Sequence, residues 1–163
     1  MGKEKSRGEV DLMRAVIQRV REASCHVEGK LVGAIKKGVV VFLGVGRGDS
    51  VEDAEYLAEK IVNLRIFEDA KGKMNLSLIH NGGEILIIPQ FTLYGECRKG
   101  LRPNFVRAAP RNLAEELFER FVELVGKKGL SIQQGSFGAK MQVGVENDGP
   151  VTLILESERR REN

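Results

Sequence analysis

Tryptophan is absent from this 163-residue chain, and cysteine, histidine and tyrosine occur only twice each. Each shortage removes a class of chemistry. Cys25 and Cys97 stand far apart and form no C-x-x-C pair, so neither a disulfide framework nor a zinc site is expected, and a reducing, cytoplasmic compartment is. His26 and His80 have no second ligand three or four residues away and no neighbouring Cys or Asp cluster. Metal binding and a Ser-His-Asp triad are therefore both poorly supported, and no metal or cofactor is expected. No apolar run approaches bilayer length, since Val39 to Val45 is followed at once by Gly46-Arg47-Gly48-Asp49. Met1 to Leu12 is charged and lacks the apolar stretch of a signal peptide.

What remains is enough for one domain with a real core, because a chain of this length buries roughly two thirds of the surface its unfolded form exposes. Residues 1–12 read as a flexible extension, 13–156 as the folded domain and 157–163 as a charged tail. Arg14 to Val20 and Ser24 to Glu28 look like strands, and Glu28-Gly29-Lys30 turns the chain into Leu31 to Ile35 as a hairpin. Val39 to Leu43 is an unbroken β-branched and aromatic run that suits a strand buried on both faces. Asp49-Ser50 caps a helix in which Ala54, Leu57, Ala58, Ile61 and Leu64 recur at helical spacing. A second helix starts near Pro110, carries Leu113, Leu117, Phe118, Phe121, Leu124 and Val125 on one face, and ends at Gly129. Glu84 to Ile88, Ile132 to Gln134, Lys140 to Val145 and Val151 to Leu155 complete the strands. Strands in runs with two helices inserted predict a mixed α/β, mostly antiparallel sheet system covered by helices.

Bulk charge says little, with 26 basic against 23 acidic residues. Its distribution says more. From Cys97 to Ala114 there is no acidic residue, while Arg98, Lys99, Arg102, Arg107 and Arg111 are basic, which describes either a solvated loop or an anion-binding surface. Gly44-Val45-Gly46-Arg47-Gly48 lies between a strand and a helix, as a phosphate loop would, but its spacing fits neither a dinucleotide fingerprint nor a Walker motif. Glycines that let a strand turn tightly into a helix are the simpler account.

Two short stretches concentrate the remaining chemistry: Ile88-Pro89-Gln90-Phe91-Thr92-Leu93 and Asn147-Asp148-Gly149-Pro150-Val151-Thr152. Each places a hydroxyl or a turn-forming dipeptide at the edge of an apolar run, where backbone amides become free for a ligand. Thr92 is a nucleophile, a hydrogen-bond partner or simply a strand residue. Pro89 has no N–H, so the amides of Gln90, Phe91 and Thr92 are the donors that would converge on an oxyanion if the chain curls there. Gly149-Pro150 forms either a tight, protruding cis turn presenting carbonyl oxygens or an ordinary trans turn between strands.

Arg14-Ala15-Val16-Ile17-Gln18-Arg19-Val20, Gly72-Lys73-Met74-Asn75-Leu76, Gln90-Phe91-Thr92-Leu93, Arg102-Pro103-Asn104-Phe105, Met141-Gln142-Val143 and Asn147 to Thr152 together resemble the D-aminoacyl-tRNA deacylase family, formerly called D-tyrosyl-tRNA deacylases. The likeness runs from about Met13 to Leu155 with the motifs in order. It implies a single mixed α/β domain with mostly antiparallel, barrel-like sheet layers covered by two main helices. It further implies a homodimeric hydrolase, with active sites at the subunit interface and no cofactor, that cleaves the ester of a D-amino acid, or glycine, on the acceptor end of tRNA. Such an enzyme acts in chiral proofreading of translation, and neither DNA nor membrane is an expected partner. By the same resemblance, Gly149 and Pro150 enter the partner's pocket and engage the substrate amino group, Arg19 holds that element, and Gln90, Phe91 and Thr92 are the catalytic stretch, assisted by the substrate 2′-hydroxyl. Phe137 and Met141 fall at the adenosine side. Pro89 stands where most of the family has serine, so a role for that hydroxyl does not carry over.

The residues agree chemically with this assignment. An aminoacyl ester is already activated, and orienting it while stabilising an oxyanion suffices without a strong base. Arg98, Lys99, Arg102 and Arg107, in the basic stretch that runs to Arg111, are then candidates for acceptor-end phosphates. The alternative is a non-catalytic RNA- or nucleotide-binding module. That reading lacks aromatic stacking runs, because Tyr56 and Tyr94 are isolated, and it leaves the Gly149-Pro150 turn without a purpose.

Overall fold

A computed structural model describes residues 12–158. A 14-residue strand, β1 (Arg14–Val27), is the spine. It turns at Glu28 and Gly29, with φ of 50° and 76°, so that Val27 pairs with Lys30. Positive φ at both central residues gives a hairpin turn whose twist matches that of the strands it joins. β2 (Lys30–Ile35) and β3 (Gly38–Gly44) then run consecutively antiparallel to β1, β2 along its second half and β3 along its first. β3 continues into parallel pairing with β6 (Glu84–Pro89), and β6 pairs in parallel with β7 (Ser131–Gln134). The last strand, β8 (Met141–Glu156), lines the whole other edge of β1.

The sheet curls until its ends nearly meet. A side chain added at Gly33 in β2 would lie 3.3 Å from Gln133 Cβ in β7. The result is a nearly closed, barrel-like sheet of mixed direction, with three antiparallel ladders and two parallel ones. The expectation of mostly antiparallel layers covered by helices is met. The parallel pairs arise because helices return the chain to the same end before β6 and before β7, the usual requirement of a parallel crossover.

Alternation along the strands fills two cores. Val39, Val41 and Leu43 of β3 and Ile85 and Ile87 of β6 pack with α1 (Val51–Asn63) and α3 (Arg111–Gly126), whereas Val40, Leu86 and Ile88 turn into the barrel with Val20, Ala23, Cys25 and Ile35. Both faces of β3 are therefore buried, as its continuous apolar run requires. Leu57 and Ile61 of α1 and Leu117, Phe118 and Phe121 of α3 supply the helix side, each such side chain contributing roughly 1.5–3 kcal/mol on burial. At the start of α1 the Asp53 carboxylate accepts the Ser50 N–H at 2.8 Å. A small antiparallel pair, β4 (Phe67–Glu68) and β5 (Met74–Leu76), and a one-turn helix α2 (Leu78–Asn81) fill the return to β6. Among the described residues no helix is long and apolar enough to cross a membrane.

Three sequence expectations change. The two strands expected over 14–28 are one, and so are those expected over 140–155. Between the pairs Gln18↔Thr152 and Val20↔Asn147, β1 contributes only Arg19 while β8 contributes Asp148 to Val151. Gly149-Pro150 is thus not a turn between strands but a four-residue excursion from one strand, whose two halves run in the same direction along β1. Thirdly, Ser157 is fully buried, although the sequence places it in a charged tail. Its hydroxyl donates to Asp53 Oδ1 at 2.7 Å and accepts the Met13 N–H at 3.1 Å, joining the start of β1 to α1. The proposed extension is outside the described residues except for Leu12, whose carbonyl accepts the Tyr94 hydroxyl.

Candidate active site

β6 ends at Pro89, and the main chain changes character there. The Gln90 N–H makes one more bond, to the Leu43 carbonyl at 2.8 Å, before Phe91–Tyr94 winds into a 3-10 turn. That corrects one expectation: of the three amides thought free, Gln90's is spent on the neighbouring strand, because the parallel ladder runs one residue past the proline. Among the described residues, the N–H groups of Phe91 and Thr92 have no hydrogen-bond partner, as the first donors of a helical turn do not. The Gln90 side-chain amide donates to Thr92 Oγ1, so the threonine hydroxyl is oriented by its neighbour rather than by a base.

Tyr94 fixes this turn. Its ring is buried, and its hydroxyl donates to the Gly44 carbonyl at 3.0 Å or to that of Leu12. The Arg14 guanidinium lies 4.9 Å from the ring centre and donates to the Leu93 carbonyl at 3.0 Å. Gly44 allows the approach, since a Cβ there would sit 2.9 Å from the Tyr94 ring. In the sequence Tyr94 is an isolated aromatic. Its position two residues after the candidate hydroxyl, in a chain with so few tyrosines, was the available signal.

Gln90 and Phe91 form one wall of a cleft of about 510 Å³. Leu43, Ile88, Phe118, Phe137 and Met141 give it an apolar lining. Phe137 packs on Phe118 with ring centres 5.9 Å apart. Four residues selected from the sequence, Gln90, Phe91, Phe137 and Met141, thus share one cleft, with Thr92 hydrogen-bonded at its edge. A volume of this size, mostly apolar with a few placed polar groups, suits a small organic moiety.

Arg19, Gly149 and Pro150 are held together elsewhere. The Gly149-Pro150 bond is cis, both residues are exposed, and neither lines the cleft of its own chain. The Arg19 side chain is buried; its Nε donates to the Asp148 carbonyl and pairs with Asp148 Oδ2, each at 3.2 Å, while Nη1 donates to the Ile66 carbonyl at 2.7 Å. The Gly72 to Leu76 stretch supports this corner indirectly. Asp69 accepts the Lys71 and Lys73 N–H groups at 2.8 and 3.1 Å, which folds β4 against β5 just beyond Ile66.

The basic stretch is not uniform. Arg98, Lys99 and Arg102 are all exposed, and Arg98 and Arg107 approach the Glu96 carboxylate at 3.3 and 4.0 Å. The Gly44 to Gly48 loop spends its main chain internally: Gly46 N–H donates to Asp49 Oδ2 at 2.6 Å and Arg47 N–H to the Arg107 carbonyl at 2.9 Å. It is a strand-to-helix turn, not a phosphate cradle. The carboxyls held below the ordinary range, Glu59 by Lys128, Asp69 by the N–H groups of Lys73 and Lys71, and Glu123 by Arg120 and Lys127, all stand outside the cleft lining. Burial pushes the Cys25 thiol up, as for an inert core cysteine.

These features define a class, a barrel-like mixed α/β domain with a mostly apolar cleft beside the 3-10 turn that follows β6. The family described as D-Tyr-tRNA(Tyr) deacylase matches residues 16–156, and the chain belongs to it. Curated relatives named D-aminoacyl-tRNA deacylase include one from Fervidobacterium nodosum, 58% identical over 147 residues that cover 90% of this chain and 99% of the relative. Another, from Desulfatibacillum aliphaticivorans, is 60% identical over 145 residues, covering 89% and 99%. A solved structure titled c-Myc DNA Unwinding Element Binding Protein superposes with a TM-score of 0.84 at 43% identity, covering 90% of this chain and 99% of that one. A second, titled as a probable eukaryotic D-amino acid tRNA deacylase, has a TM-score of 0.77 over 88% and 98% and, at 19% identity, shares the fold.

Proposed function

We propose that this chain hydrolyses the ester joining a D-amino acid, or glycine, to the terminal adenosine of tRNA, removing wrongly charged residues before translation uses them. The carrying observation is the pair of unpartnered N–H groups at Phe91 and Thr92, at the edge of an apolar cleft in a chain of this family. In this reading the two donors stabilise the developing oxyanion, and the substrate's own 2′-hydroxyl assists. Thr92, oriented by Gln90, positions the substrate instead of forming an ester with it. Each oxyanion donor contributes roughly 3–4 kcal/mol in sites of this type, which suffices for an activated ester.

Chirality is assigned to Gly149 and Pro150 acting from a second copy of the chain. Supporting this, the pair is exposed, projects from the β1–β8 ladder and is absent from its own cleft, while Arg19 and Asn147 anchor its base. A dimer would let each protomer complete its partner's cleft, and fixed carbonyls reject an L side chain by steric exclusion and an unpaired ammonium. Phe137 and Met141 face the adenosine, Arg98, Lys99, Arg102 and Arg107 meet acceptor-end phosphates, and the cytoplasm, where charged tRNA is used, is the site of action. Incubation with D- and L-aminoacylated tRNA decides the function: selective loss of the D ester is expected, and binding without ester loss would make the chain a non-catalytic RNA-binding module.

A further inference from the structure

We propose that Arg111 receives the phosphate on the 5′ side of the terminal adenosine and so sets how deeply that nucleotide enters the cleft. The assignment rests on the deacylase reading and adds to it a specific ion pair.

Among the described residues, Arg111 is the sole ionisable side chain lining the cleft. It occupies the first position of α3 and reaches across to the segment that follows β7. There its guanidinium lies on Gly138: an added Cβ at 138 would be 2.5 Å from Nη2 and 3.0 Å from Cζ. The guanidinium thus fills the space that any other residue at 138 would claim, and φ of +76° at Gly138 independently favours glycine there. Phe137 and Ala139, on either side, also line the cleft, so the cation is held against the wall expected to face adenosine.

Among the described residues, no acidic side chain neutralises it: Glu96 stands beside Arg98 and Arg107, and Glu123 beside Arg120. Arg111 is exposed to solvent, but the apolar cleft wall borders it, and a charge beside apolar surface is screened less than one surrounded by water. A guanidinium also matches phosphate geometry with two parallel N–H donors. An aminoacylated nucleotide presents the complementary pattern: a neutral sugar and base for the apolar walls, an ester for the Phe91–Thr92 donors, and one anion on the same ribose. Arg98 and Arg107 are less suited to that phosphate, because Glu96 already compensates them.

The test compares 2′(3′)-O-D-aminoacyl adenosine with the same ester bearing a 5′-phosphate. The native protein should prefer the phosphorylated ester by roughly ten- to hundredfold in kcat/KM, the range of a charge-assisted contact. Arg111→Ala should collapse that preference towards unity, and Arg111→Lys should restore part of it. In parallel, adenosine 5′-phosphate should bind the native protein at least about tenfold more tightly than adenosine, and Arg111→Ala should erase the difference. On D-aminoacyl-tRNA, the same variant should flatten the salt slope by about 0.7, one single-strand phosphate. A preference unchanged in Arg111→Ala overturns the assignment, as does equal loss on both esters with a change in oligomeric state, which would give Arg111 to a partner carboxylate. Absence of ester cleavage by the native protein would instead remove the deacylase reading, while the binding comparison still judges Arg111.

Discussion

The Asn147 side chain is bonded to the main chain of Arg19 across the β1–β8 ladder, and the Arg19 side chain returns to Asp148, the residue after Asn147. The Asn147 side-chain amide donates to the Arg19 carbonyl at 2.8 Å and to the Val151 carbonyl at 3.1 Å, closing the neck of the four-residue excursion. In return the Arg19 guanidinium grips Asp148, the first residue inside it, while bonded to Ile66 on the far side. The exposed Gly149-Pro150 tip therefore stands on a base with satisfied hydrogen bonds and little freedom.

Replacing Arg19 with alanine should cost about 2–4 kcal/mol of stability, because a buried cation is lost and the Ile66 carbonyl is left unpaired. Urea unfolding measures it. Asn147→Ala should cost less, about 1–2 kcal/mol, and should weaken discrimination between D- and L-aminoacyl-tRNA more than it slows the D reaction. An unchanged ratio of the two rates would separate the excursion from chirality.

Thr92→Ala should slow deacylation by about two- to tenfold, the loss of one positioning hydrogen bond, without abolishing it. Mass spectrometry of the native protein quenched during turnover should show no added acyl group. A covalent adduct at Thr92 would make the hydroxyl a nucleophile.

Tyr94→Phe removes the hydroxyl that ties the 3-10 turn to Gly44 and Leu12 but keeps the ring beneath Arg14. A stability loss of about 1–2 kcal/mol is expected. The larger effect should fall on kcat, since the Phe91 and Thr92 donors ride on this turn. Equal kcat in the variant would show that the turn holds its shape without the anchor.

Asp69 supplies a pH test. Its carboxyl is held below the ordinary range by the N–H groups of Lys73 and Lys71, so the ionised form is favoured in the folded chain. The loop's contribution is complete above about pH 4, the unfolded carboxylate value, and is lost as pH falls through the lowered folded one. The protection of the Lys71 and Lys73 amides, taken relative to the intrinsic exchange rate at each pH, should fall across that acid window and should be low throughout in Asp69→Ala.

Much of this was legible from residue order because the relevant forces are local. The β-branched run of Val39 to Leu43 has no polar face, so burial on both sides followed. The Ser50 cap and Pro110 start placed both long helices, and Gly29 placed the first hairpin. Gln90, Phe91, Phe137 and Met141 were selected by motif and share one cleft. The departures came from pairing at a distance. Periodicity breaks at Asn147 to Pro150 whether the chain reverses or merely bulges, and only the register against β1 distinguishes them. That the Gln90 amide is consumed depends on Leu43, 47 residues earlier.

The sequence by itself determined the two long helices, the apolar strand runs, the scarcity of titrating groups in the key motifs and the family likeness, since composition and spacing fix local preference and covalent chemistry. Tertiary structure alone decided which donors stay free, that Arg19 supports the 148–151 excursion, and that Arg111 lies against Gly138 with no ion pair among the described residues. Those outcomes depend on which distant groups meet as the sheet curls, and a hydrogen bond or an ion pair exists only where both partners arrive.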